Sequence, residues 1–139
     1  MMRELFCEAP DEPGLLGRIT SAMALEGVYV IHLSVDTYAG KGFLRLITKD
    51  NHKARKAIGY FLPGLQEREV LIIEFENKVG TLAPVAKLLG SSNISIHSAY
   101  GTSGDGFKIV GVFSTENNQK AADLINQDSG ALGLKIVDF

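Results

Sequence analysis

Two short segments of the chain place a polar side chain three residues before a glycine and an apolar residue just after it. Asp11 precedes Gly14 in the first segment, and Asn77 precedes Gly80 in the second. Glycine allows close approach to the backbone, and a helix that starts there offers free N–H groups to a carboxylate. Asn93 adds an amide that donates and accepts hydrogen bonds. The pattern indicates a small-molecule site, or else only a glycine turn with a polar cap.

Other side chains capable of chemistry are sparse. His32 and His97 are expected at the same position of two similar segments, but two ligands alone make a poor zinc site, so a sheet-face or interface role is favoured. Cys7 is the single cysteine and is predicted to be a small buried hydrophobe. The glycine-rich segment 101–106 lacks the spacing and the lysine of a phosphate loop. We therefore expect no catalytic residues, no metal and no cofactor.

The two glycine turns belong to two similar halves of the chain. Asp11–Ile19 corresponds to Asn77–Val85, and further pairs of segments follow in the same order. The comparison predicts two copies of a unit of about 65 residues. We place the first domain at residues 1–66 and the second at 67–139.

Each half predicts the order strand, helix, strand, strand, helix, strand from its apolar spacing and its turn residues. The predicted strands are Glu4–Glu8, Val28–Thr37, Phe43–Ile47, a weak Leu65–Arg68, Glu69–Glu76, Ile94–Tyr100, Phe107–Ser114 and Leu134–Val137. The predicted helices are Leu15 to about Gly27, Asn51–Phe61, Thr81–Leu89 and Asn117–Asn126. This is an α+β fold of two ferredoxin-like βαββαβ units, each an antiparallel sheet with its helices on one face. The second strand of each unit is an edge, so two copies or two chains are expected to join there or to cover each other's bare faces.

The amino-acid composition limits the classes of protein to which the chain can belong. The chain has 139 residues, 45% of them hydrophobic and 22% charged, which is enough to form a core and unlike a disordered protein. Its net charge of −2 comes without a basic patch, which weighs against a nucleic-acid partner. No apolar run is long enough to span a bilayer and the first residues do not resemble a signal peptide, so we expect a cytoplasmic protein with no membrane partner.

Three motifs together resemble a known family. They are D-x-P-G-L-L at residues 11–16, N-K-V-G-T-L-A at 77–83 and N-I-S-I at 93–96. With the doubled element pattern, they make nearly the whole chain look like a tandem pair of ACT domains. Members of that family are regulatory modules that bind small molecules, most often amino acids, at interfaces between domains. Carried over residue by residue, the resemblance implies ligand contacts from Asp11, Gly14, Leu15, Asn77, Gly80, Thr81, Leu82 and Asn93. Val28 stands near the position of Asn93 in the first copy, so two equal sites are not expected.

The resemblance implies a stand-alone, non-catalytic regulatory protein that binds an amino acid between ACT domains. It further implies an allosteric homodimer, with a separate regulated enzyme or regulator as its partner. The alternative is a ferredoxin-like protein–protein interaction subunit without a small-molecule ligand. Val28, Tyr29 and Val30 on an edge strand favour such docking as much as they favour self-association. An acylphosphatase-like hydrolase on this topology is disfavoured because the turn lacks an arginine facing an asparagine.

Overall fold

Seven strands and five helices follow one another along the chain in the computed structural model, which describes residues 1–139. The strands are β1 Met2–Pro10, β2 Val30–Tyr38, β3 Lys41–Thr48, β4 Gln66–Glu76, β5 Ile96–Ser103, β6 Lys108–Thr115 and β7 Leu134–Ile136. The helices are α1 Leu15–Leu25, α2 Asn51–Ile58, α3 Ala83–Ser91, α4 Asn118–Gln127 and α5 Ser129–Leu132. Only the short α5 has no counterpart among the predicted elements.

The chain divides into two compact units, one of Arg3–Arg68 and one of Met1–Met2 with Glu69–Phe139. The strand order is β2-β3-β1-β4 in the first unit and β7-β4-β6-β5 in the second. Each order is that of a βαββαβ unit, so the α+β fold class predicted from the sequence is confirmed. The weak strand predicted at Leu65–Arg68 and the strand predicted at Glu69–Glu76 form one continuous strand, β4.

Each unit has a core on the helix side of its sheet. In the first unit, alternate β1 residues, Leu5, Cys7 and Ala9, pack with α1 and α2. In the second, Leu71, Ile73 and Phe75 of β4 pack with α3 and α4 in the same way. The period of two along each strand directs these side chains to one face. Cys7 is buried as expected, and burial raises the pKa of its thiol.

The two units also repeat their side-chain hydrogen bonds. At the start of α2, the Asn51 amide accepts from the Thr48 hydroxyl (2.7 Å) and donates to the carbonyl oxygen of Arg3 (3.0 Å). At the start of α4, Asn118 accepts from the Thr115 hydroxyl (2.8 Å) and donates to the carbonyl oxygen of Glu69 (2.8 Å). The side chains of Asp50 and Asn117 cap the two helices by accepting from the backbone N–H of Lys53 and Lys120. Repetition at this level supports the duplication predicted from the sequence.

A bulge in each edge strand changes the alignment of the two histidines. The register slips between Val30 and His32 in β2 and between Ile96 and Ser98 in β5. The extra residue is Ile31 in β2 and His97 in β5, so His97 corresponds to Ile31. The expectation that His32 and His97 share one position is therefore wrong. The bulge also interrupts the alternation of sides along β2, because it turns Val30 toward the helix-side core.

The partial burial of His32 gives a testable pH dependence. Desolvation lowers the pKa of this imidazole below its ordinary value of 6.5. The unfolded chain therefore binds a proton at a higher pH than the folded chain does. The free energy of unfolding should fall as the pH drops from about 6.5 to the lower folded pKa, by at most about 1.4 kcal/mol per pH unit. Urea unfolding of His32→Gln between pH 5 and pH 8 should lack this slope, whereas the control His52→Gln, at an exposed position, should keep it.

Candidate functional site

Both glycine turns adopt the left-handed conformation. Gly14 has φ of 86° and Gly80 has φ of 85°, values that other residues rarely adopt. Helix α1 begins immediately after Gly14, at Leu15. Helix α3 begins at Ala83, two residues later than predicted, with a proline in its first turn, where no intrahelical N–H is required. Each turn brings a helix N-terminus to the same place in its unit.

Each unit contains a cleft beside this turn, on the helix side of its two outer strands. The first cleft, in the first unit, has a volume of about 100 Å³, and the second cleft, in the second unit, has about 460 Å³. The first cleft is lined by Ala9, Pro10, Asp11, Glu12, Leu15, Leu16, Ile19, Val35, Thr37, Gly42, Phe43 and Leu44. The second cleft is lined by Phe75, Lys78, Gly80, Thr81, Leu82, Ala86, Ile96, Ala99, Tyr100, Gly101, Ile109, Gly111 and Phe113. Only the second falls within the range of about 300–1,000 Å³ that is usual for ligand sites.

One cross-strand pair differs between the walls of the two clefts. Val35 pairs with Leu44 in the first unit, and the corresponding pair in the second unit is Gly101 with Gly111. Two aliphatic side chains on the cleft wall are thus replaced by two hydrogens. The ring of Phe113 leans over Gly111, where a Cβ would lie 2.6 Å from the ring atom Cε2. The glycine pair opens the second cleft and lets an aromatic ring form its floor.

The predicted site residues separate into three groups. Gly80, Thr81 and Leu82 line the second cleft. Asp11 and Leu15 line the first. Gly14, Asn77 and Asn93 are not among the residues that line either cleft. The structure thus brings together three of the predicted residues in the larger cleft, where Gly101 and Gly111 join them.

Asn77 fixes the position of the β5–β6 hairpin. Its side-chain Nδ2 donates to the carbonyl oxygen of Gly106 (3.0 Å) and lies 3.4 Å from the Ser103 hydroxyl oxygen. Its backbone N–H donates to the carbonyl oxygen of Phe107 (2.9 Å). The side chain therefore connects the turn before α3 to the end of the neighbouring hairpin.

Asn93 ends helix α3. It is exposed, has φ of 57°, and its backbone N–H donates to the carbonyl oxygen of Gly90 (3.1 Å). The next N–H, that of Ile94, donates to the carbonyl oxygen of Leu89 (2.9 Å). Asparagine follows glycine as the residue most tolerant of the left-handed conformation at this point of a helix. This geometry explains the choice of asparagine without any ligand.

The first unit repeats this helix end with glycine. Gly27 has φ of 68°, and the N–H groups of Gly27 and Val28 donate to carbonyl oxygens of α1 in the pattern seen for Asn93 and Ile94. Asn93 therefore corresponds to Gly27. The sequence comparison that set Val28 near the position of Asn93 is wrong by one residue.

The mouths of the two clefts differ in charge. Lys78 lines the second cleft, with its Nζ 2.9 Å from Oε2 of Glu76, and the hydrogen bond to that carboxylate raises the pKa of Lys78. The Thr81 hydroxyl lies 2.6 Å from the carbonyl oxygen of Glu76 and 3.0 Å from that of Lys78. At the first cleft Glu12 holds the position of Lys78, its carboxylate pairs with the Arg18 guanidinium, and Asp11 also lines the cleft. A lysine paired with a glutamate therefore lies beside the second cleft, and a glutamate paired with an arginine lies beside the first, together with Asp11.

No three histidine, cysteine, aspartate or glutamate side chains are grouped so that they could hold a metal ion. None of the helices has the length and apolar character needed to cross a bilayer.

Fold and cleft define a ferredoxin-like α+β protein with two βαββαβ units and a ligand-sized cleft in the second. No protein-family model and no curated protein sequence matches the chain. Solved structures do match its fold. A protein of Bacteroides thetaiotaomicron, BT0572, superimposes with a TM-score of 0.82 at 23% identity, over 97% of this chain and 92% of that one.

Two further structures are regulatory subunits of aspartate kinase. That of Thermus thermophilus, in its ligand-free form, has a TM-score of 0.64 at 15% identity, with 91% of each chain covered. That of Thermus flavus has a TM-score of 0.63 at 16% identity, over 91% of this chain and 92% of the other. At these identities the likeness establishes a common fold.

Sequence reasoning missed the glycine pair. The predicted strand ends at Tyr100, whereas β5 continues through Gly101, which lies opposite Gly111 of β6. The available signal was the alignment of β5 with β2, which sets Gly101 against Val35. The bulges in both strands hid that alignment.

Proposed function

We propose that this chain is a non-catalytic regulatory protein that binds a free amino acid in the second cleft. The observation that carries the proposal is the position of that cleft. It has about 460 Å³ of space directly beside the N-terminus of α3, with a lysine at its mouth. The first turn of a helix has N–H groups without intrahelical acceptors and attracts negative charge.

Different groups of the protein would contact the carboxylate and the amino group of the ligand. The backbone N–H groups of Gly80 and Leu82 and those at the start of α3 would bind the carboxylate, with Lys78 adding charge. The Thr81 hydroxyl oxygen, which retains acceptor capacity, would take the amino group. Asn77 would act indirectly, because its hydrogen bonds hold the adjacent hairpin. Asp11, Gly14 and Leu15 lie at the matching turn of the first unit, but the cleft beside that turn is too small for a usual ligand.

The comparisons and the motifs support a regulatory role. Two structures that share this fold over about nine-tenths of the chain are regulatory subunits of aspartate kinase. The glycine motifs resemble those of tandem ACT domains. We therefore propose a cytoplasmic protein whose output passes to a separate enzyme or regulator.

Self-association would complete the site. β5 is the outer strand of its unit, and its cleft-lining residues Ile96 and Ala99 are exposed. An exposed strand edge is a template for another strand, so a homodimer formed through β5 would cover the open side of the second cleft. Ligand binding and dimerisation would then stabilise each other, which is the basis of an allosteric response.

A ligand-free interaction subunit is the second candidate. It is favoured by an apolar patch on the helix side of the first unit, where Leu25 is 88% and Tyr60 81% exposed. The Phe61 ring packs edge-on against Tyr60 at a centroid distance of 4.8 Å. Such a subunit would bind a protein there and would not respond to amino acids.

Thermal unfolding in the presence of each of the twenty amino acids separates the two candidates. At 100 times Kd, a ligand that binds only the folded chain adds about 2.7 kcal/mol to the free energy of unfolding. For a chain of this length the melting temperature should rise by several degrees. Methylamine and acetate at the same concentration control for salt effects. No rise with any amino acid would contradict the proposal.

A further inference from the structure

We infer that the second cleft selects an amino acid with a large apolar side chain, and that each chain binds one such molecule. This inference rests on the proposed function, since it assumes that the ligand is an amino acid. It adds the side-chain class and the stoichiometry, both of which follow from the walls of the two clefts.

The inner wall of the second cleft is apolar. Phe75 and Phe113 form its floor and are 4% and 3% exposed, and Ile109 and Ala86 lie beside them. Lys78 is the only charged side chain among the residues that line the cleft, and it lies in the turn before α3. A charged ligand side chain directed at the two phenylalanine rings would lose its hydration and meet no opposite charge. The walls thus disfavour aspartate, glutamate, lysine and arginine.

The space in the cleft argues against small ligands as well. The Gly101 and Gly111 pair removes the two side chains that fill the same place in the first unit. An amino acid without a side chain would leave this apolar space unfilled, whereas a leucine or phenylalanine side chain would fill it. In an apolar pocket one methylene alone changes selectivity by about tenfold or more.

The first unit lacks both features. Its cleft has about 100 Å³, because Val35 and Leu44 occupy the wall. Asp11 at its mouth would repel a carboxylate, and Glu12, which pairs with Arg18, stands where the second cleft has Lys78. One molecule per chain follows from this difference between the units.

Isothermal titration calorimetry of the full chain with five probes tests the inference. L-Phenylalanine or L-leucine should bind with one site per chain and at least about tenfold more tightly than glycine, L-aspartate or L-lysine. If glycine, L-aspartate or L-lysine binds more tightly than L-phenylalanine and L-leucine, or if two sites per chain are found, the inference is overturned and the proposed function stands. Absence of binding by all five overturns the inference. The proposed function fails as well only if the remaining amino acids also do not bind.

A pair of variants locates the binding. Ala99→Leu introduces into the second cleft the residue that the first unit carries as Leu33, and it should weaken phenylalanine binding by at least about tenfold. Leu33→Ala is the reverse exchange in the first unit and should leave binding unchanged. Melting temperatures of both variants show whether they fold. Equal affinity of Ala99→Leu and the wild-type chain would overturn the assignment to the second cleft.

Discussion

Gly101→Val should weaken amino-acid binding by about 100-fold or more while the chain still folds. Three added carbon atoms would lie on the wall of the second cleft, in the space left by the glycine pair. The fold should tolerate the change because Val35 already occupies the corresponding position of β2. The new Cβ would lie 3.2 Å from the carbonyl oxygen of Val110, so the backbone must shift slightly. Calorimetry with L-phenylalanine or L-leucine measures the affinity, and circular dichroism the folding.

A matched control is Gly90→Ala in α3, where an added Cβ would meet nothing within 4 Å. This variant should bind the amino acid as tightly as the wild-type chain does. It should also be slightly more stable, because alanine has a higher helix propensity than glycine. Wild-type affinity in a folded Gly101→Val variant would show that the ligand does not use this cleft.

Arg68→Met should lower the free energy of unfolding by about 3 kcal/mol, because it removes the cation from a buried carboxylate. Glu4 is fully buried, and its Oε1 accepts from Nε of Arg68 at 2.8 Å. The guanidinium also stacks over the Phe6 ring, 4.5 Å from its centroid. Methionine keeps the aliphatic stem and loses both interactions. Urea unfolding at pH 7 measures the change.

Two controls separate this effect from the loss of any surface charge. Arg3→Met removes the cation from Glu67 at 3.1 Å, a more exposed pair, and should cost less than about 1 kcal/mol. The double variant Glu4→Met with Arg68→Met should recover most of the lost stability, since it leaves no buried carboxylate. A cost for Arg68→Met no greater than that for Arg3→Met would contradict this account of the pair.

The fold could be predicted because its signals are local. Left-handed glycines at Gly14 and Gly80, the caps at Asp50 and Asn117, and the alternation along β1 act within a few residues of each other. The duplication supports each predicted helix and strand, since the same order of elements occurs in both halves of the chain. Even the joining of two predicted strands into β4 could be anticipated from the absence of a turn near Arg68.

The register of the edge strands could not be predicted in the same way. A bulge inserts a residue without a distinctive sequence, and one inserted residue reverses the side to which the preceding side chains point. For this reason the expected match of His97 with His32 fails, since His97 corresponds to Ile31. The same loss of register concealed that Gly101 lies opposite Gly111.

The site was predicted only in part for a related reason. Glycine and threonine at Gly80 and Thr81 are recognisable because a turn before a helix has few forms. Asn77 and Asn93 have the right chemistry for a ligand, but backbone geometry already explains both. Asn77 holds a hairpin through the carbonyl oxygen of Gly106, and Asn93 ends a helix. A sequence does not show whether an amide is already used by the fold.

The most direct test of the central claim is a crystal structure of the chain grown with a mixture of the twenty amino acids. The account predicts density for one amino acid in the second cleft, with its carboxylate at the Gly80–Leu82 turn and its side chain over Phe113. An empty second cleft, or an amino acid bound only elsewhere, would contradict it.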